Sequence, residues 1–116
     1  MDKPAKEIPL EEALEVFRDW MDRASTIIVV IGFAGDWGET ADGVVEKVFT
    51  SPGQSGIQFW SLTEGLPRQI SFADATCFRL LDLESAPESL RSDWHSFLLV
   101  RFQDDRRLLF AERRSD

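Results

Sequence analysis

The chain holds one histidine, His95, and one cysteine, Cys77, so catalysis by a thiol nucleophile with an imidazole base would have to bring these two together. If residues 76–83 and 94–102 pair as antiparallel strands, Asp82 falls opposite His95 and Cys77 opposite Val100. At ~3.4 Å per residue Cys77 then stands roughly 17 Å from His95, against a hydrogen-bond reach of about 3 Å. The spacing predicts an Asp82–His95 ion pair at a sheet edge, with a general base as its chemical alternative. Cys77 lies in an apolar stretch and is expected to be a buried, inert thiol with no partner for a disulfide.

Zinc requires Cys and His ligands at recognised spacings, and none can be assembled. Oxygen ligands are plentiful: Asp36, Glu39 and Asp42 share the segment GDWGETADG, residues 35–43, but their spacing does not follow the calcium loop of an EF-hand. The 21 acidic residues single out no pair for glycosidase chemistry. The glycines match neither a dinucleotide-binding nor a P-loop pattern. No metal and no cofactor is predicted.

Trp37 is the most informative side chain of residues 35–43, whose glycines and acids read as a loop or an irregular hairpin tip. A large aromatic in a loop is costly to expose without a use. Flanked by Asp36 and Glu39, it suits a sugar, a cation or a protein hot spot, and its bland alternative is folding back as a cap. Trp60, on one face of a strand at residues 57–62, is a further candidate for the same contact surface.

Charge narrows the partners. The net charge is −8, whereas affinity for nucleic acid comes from clustered Lys and Arg. Arg101, Arg106, Arg107, Arg113 and Arg114 are interleaved with Asp104, Asp105, Glu112 and Asp116 and are read as a solvated hairpin rim. The longest apolar run, residues 27–34 with Gly32 inside it, is far short of the ~20 residues that cross a bilayer. The opening MDKPAKEIPLEE lacks the apolar stretch of a secretory signal, so the expected location is cytoplasmic.

The elements that position these residues follow from periodicity. From Leu10 to Ser25, apolar residues at three- and four-residue spacings predict an amphipathic helix, with Phe17 and Trp20 as core anchors and Pro9 at its first position. Residues 26–34, TIIVVIGFA, read as a central strand covered on both faces. Strands are also expected at 44–50 and 57–62. Residues 70–73 and 76–83 read as one long strand bent or bulged at Asp74. Residues 85–93 suggest a short helical turn, and 94–102 with 107–111 a closing hairpin of open register. Residues 1–7 and 113–116 are expected to fray.

At 116 residues one domain of α+β class is expected: an N-terminal amphipathic helix packed on a mostly antiparallel, five- to six-stranded, strongly twisted sheet or small barrel. The order of elements resembles that of Sm-like and SH3-like small barrels. The leading functional reading is a non-catalytic acidic domain that binds another protein or assembles with itself, with Asp36, Trp37, Glu39 and Trp60 at the contact surface. The alternative is a small-ligand module with a pocket at the barrel mouth, lined by Phe33, Trp37 and Phe59. A third reading is an enzyme that uses His95 with Asp82 or the acids of residues 36–42.

Overall fold

A computed structural model describes residues 5–33, 36–51, 53–81 and 94–113, with the backbone alone at positions 5, 36, 37, 39 and 94–96. Asp82, the helical turn expected at 85–93, and residues 1–4 and 114–116 lie outside the described residues.

The amphipathic stripe forms α1, Leu10–Asp22, and buries Ala13, Leu14, Phe17 and Trp20. Pro9 is the N-cap rather than the first helical residue, and its carbonyl accepts from the Ala13 N–H at 3.1 Å. The helix stops before Ser25 because Ala24 turns left-handed, with φ at 51°. The Ala24 N–H then donates to Met21 O and the Ser25 N–H to Trp20 O, both at 3.0 Å, which is a Schellman closure with alanine where glycine is usual.

The strands are β1 (Ala5–Ile8), β2 (Ile27–Phe33), β3 (Asp36–Phe49), β4 (Gly56–Ser61), β5 (Leu66–Ser71), β6 (Ala75–Leu81), β7 (Trp94–Phe102) and β8 (Arg106–Arg113). They make one antiparallel sheet in the order β1-β6-β7-β8-β2-β3-β4-β5, which is not closed. The α+β class holds, but the sheet has eight strands rather than five or six, and the barrel alternative is overturned. Residues 5–7, expected at a frayed end, belong to β1, which pairs with β6. Among the described residues no helix is long and apolar enough to cross a membrane.

The connection from β5 to β6 dictates the sheet's curvature. In a flat sheet these strands would be six spacings, about 29 Å, apart in the observed order. Residues 72–74 link them, and from Ser71 to Ala75 the chain spans at most about 14 Å. The sheet must therefore curl, and the expected single bent strand is instead two strands near opposite edges. β3 supplies part of the bend through two bulges, with Gly38 and Glu39 opposing Ile31 alone and Glu46 extra against β4. Residues 36–43, read from composition as part of a loop or an irregular hairpin tip, thus belong to β3 and carry the first of these bulges.

α1 packs in the concavity with Ile27, Val29, Phe59, Phe72 and Phe110, while Val30, Phe97, Leu99, Leu109 and Ala111 form a second buried cluster. Neighbouring residues at the Ile27 end of β2 thus enter different cores, so the expected two-sided cover holds there but not at the far end, where Ile31 and Phe33 are exposed. The β7–β8 turn solves its missing glycine with Asp105 at φ 67°. Glu112, expected on a solvated rim, is instead buried at 3% exposure, because the C-terminal end of α1 comes down on it.

Candidate functional site

One face of β2 runs out of the core into the open. Ile27 and Val29 are 0% and 4% exposed, whereas Ile31 and Phe33, next on the same face, are 40% and 59% exposed. The helix end explains the gradient. The Ser25 hydroxyl donates to the Glu112 carboxylate at 2.6 Å, and Glu112 pairs with Ile27, so α1 is anchored over the Ile27 end. Beyond it the concave face is an open groove.

The groove has a volume of about 770 Å³ and a floor of Val29, Ala41, Phe59, Ile70, Phe102 and Leu108. Phe59 comes close to β3 because position 43 is glycine. A β-carbon at Gly43 would lie 2.9 Å from Phe59 Cζ and 1.9 Å from the Trp60 carbonyl oxygen. Ile70 stands opposite Ile57, and Arg68 opposite Phe59, so these β5 side chains share the concave face.

The rim charges are matched. Arg68 Nε donates to Glu64 Oε1 at 2.6 Å and Nη2 donates to Oε2, a forked pair. The hydrogen bond from Arg68 holds the Glu64 carboxyl below the usual glutamate range. The Thr63 hydroxyl donates to Asp42 Oδ1 at 2.6 Å, and the Leu62 N–H to Asp42 O at 2.8 Å, which fastens the β4–β5 turn to β3. Arg106 lays its guanidinium over the Phe102 ring, 4.5 Å from the centroid. The nearby Asp104 carboxylate accepts from the Arg106 main-chain N–H at 3.2 Å. Apolar floor, hydroxyls and neutralised charges suit binding of an apolar or amphipathic group.

The residues singled out by sequence are placed as follows. Asp36 and Trp37 open β3, opposite Phe33 and Gly32, and Glu39 sits in the bulge; these are strand positions, not a loop. Trp60 stands opposite Val44, seven residues along β3 from Trp37 and roughly 20 Å away. It alternates with the buried Phe59, so it lies on the face of β4 away from the groove. Phe33 is outside the groove lining, while Phe59 belongs to it. His95 is the extra residue of a bulge in β7 against β8, and its pairing with Asp82 falls outside the described residues. The β6–β7 register differs by one residue from the expected one: Thr76 bulges, Cys77 faces Arg101 rather than Val100, and the shift persists to Leu81↔Phe97. Cys77 is half-buried and its sulfur accepts from Arg79 Nε at 3.3 Å, so the thiol is less enclosed than its apolar neighbours implied.

Ile31, Ile70, Arg68 and Phe102 had no sequence signal as a group, because they meet only through the curl. A usable hint was Pro67: within a sheet, proline is confined chiefly to edge strands, and β5 is an edge. No protein-family model, curated protein or solved structure matches the chain.

Proposed function

We propose that the chain is a non-catalytic binding domain that takes an apolar segment of another protein into the concave groove. The carrying observation is the emergence of the apolar face of β2 from the core at Ile31 and Phe33. An apolar surface that continues outward from a groove marks an interaction site in a water-soluble setting. An apolar face that continues from the groove into solvent suits a segment laid along it, and the −8 charge of the protein draws basic partners.

The test is the neutral dye N-phenyl-1-naphthylamine, which brightens in apolar surroundings. It is expected to brighten with the wild type and to lose at least tenfold in affinity with Ile31→Asp, whose side chain is already partly in water. A dye that stays dark with the folded wild type overturns the groove reading.

The groove's volume also favours a second reading, a small-ligand site, because about 770 Å³ falls within the ~300–1,000 Å³ of such pockets. Saturable binding of small apolar compounds that excludes peptides would support it. Self-assembly through the β2–β3 tip is separable: light scattering would find a dimer that dissociates on Trp37→Ala.

A further inference from the structure

One wall of the groove is made of backbone. β5 ends the sheet, and the Phe72 N–H donates to Ser55 O at 2.8 Å, extending the β4–β5 ladder by one pair. In an antiparallel ladder main-chain groups alternate in direction. Those of Leu66, Arg68 and Ile70 therefore turn toward β4, and those of Pro67, Gln69 and Ser71 turn away. Among the described residues nothing pairs with this outer row. Pro67 has no N–H, which leaves the Gln69 and Ser71 amides as donors and three carbonyls as acceptors. The same stretch lines the groove through Arg68, Gln69, Ile70 and Ser71.

We infer that an extended segment of a partner protein adds to the sheet along the outer edge of β5, with alternate side chains entering the groove over Ile70 and Phe59. The inference rests on the groove being a binding site and specifies how it is used. Backbone hydrogen bonds to Gln69 and Ser71 supply affinity, and the apolar floor selects the inward side chains. The occupant is a basic segment of a different protein. A second copy would bring another −8, whereas a lysine-bearing strand is attracted. Pro67 shortens the usable edge, which guards against indiscriminate pairing.

The probe is a synthetic octapeptide alternating valine and lysine, together with two versions N-methylated at either alternate set of nitrogens. One methylated version is expected to lose at least tenfold in affinity and the other to bind as the parent does. Amide exchange at Gln69 and Ser71 should slow at least tenfold with the parent peptide, while Ile70 is unchanged. Gln69→Pro removes an outward donor and spares the β4 ladder, and it should weaken the peptide at least tenfold. Should that variant fail to fold, the methylated peptides decide. Equal binding of all three peptides, unaltered exchange at Gln69 and Ser71, or no binding at millimolar parent peptide each overturns strand addition. So does a peptide-free dimer that Gln69→Pro dissolves. If the dye brightens in those cases, the groove stands and only its proposed use falls; if the dye is dark, both fall.

Discussion

Phe17, in the middle of α1, stacks on Phe72, in the short link between β5 and β6, with ring centroids 5.4 Å apart and planes 24° from parallel. Phe72 also meets Phe78 edge-on at 5.6 Å and Phe110 at 6.4 Å. One side chain thus ties the link that curls the sheet to the helix, to β6 and to β8.

Phe72→Ala should therefore lower stability by about 3–5 kcal/mol, the range for deleting a buried aromatic. Phe72→Leu should cost less, because it refills much of the space. Urea unfolding followed by tryptophan fluorescence reads both. A loss below about 1 kcal/mol for the alanine variant would show that the ring contacts do not hold the curl.

Ala24 is the non-glycine left-handed residue that closes α1, at φ 51°. Ala24→Gly removes the clash of its β-carbon and should stabilise the protein by about 1 kcal/mol, less the extra entropy that glycine loses. Thermal unfolding of the two proteins side by side checks the sign. A lower melting temperature for the glycine variant would contradict the Schellman closure.

Glu112 is buried, yet it accepts from the Ser25 hydroxyl at 2.6 Å and pairs with Arg23 Nη1 at 2.6 Å. Arg23 is half-exposed and shared with Asp19, so solvent discounts the ion pair and the hydroxyl bond carries more of the effect. Glu112→Ala should cost about 2 kcal/mol and Ser25→Ala about 1 kcal/mol. A double-mutant cycle that finds the two losses fully additive would deny their coupling.

Acid should loosen the groove rim. The Arg68 hydrogen bond holds the folded Glu64 carboxyl below its ordinary range. The stabilisation is therefore present above the unfolded value of ~4.3 and is lost as pH falls through the depressed folded value. Carboxyl-carbon NMR should place the Glu64 midpoint under that of a free glutamate. Arg68→Gln should return it toward ~4.3, and added salt should shrink the difference. An unmoved midpoint in Arg68→Gln would show that the fork does not act on Glu64.

Local pattern was enough for α1 and β2. Leu14, Phe17 and Trp20 repeat at helical spacing whatever packs on them, and an unbroken β-branched run such as Ile27–Val30 cannot be half-solvated. The hairpin of β7 and β8 was also legible from two apolar runs around residues 103–106, although β8 begins one residue earlier, at Arg106. Position 43 and its acidic neighbours misled, because glycine and aspartate favour loops by composition, whereas in β3 they accommodate bulges and the close approach of the Trp60 carbonyl.

The sequence by itself determined the acidic charge, the helix and the period of its main strands, since these depend on residues within a few positions of one another. Only the tertiary structure decided the eight-strand order, the separation of β5 from β6, and the meeting of Ile31, Phe59, Ile70 and Phe102 in one groove. The reason is geometric. Two edges of a sheet come together only when a short link, accumulated bulges and a helix in the concavity all bend it the same way, and no local spacing records that sum.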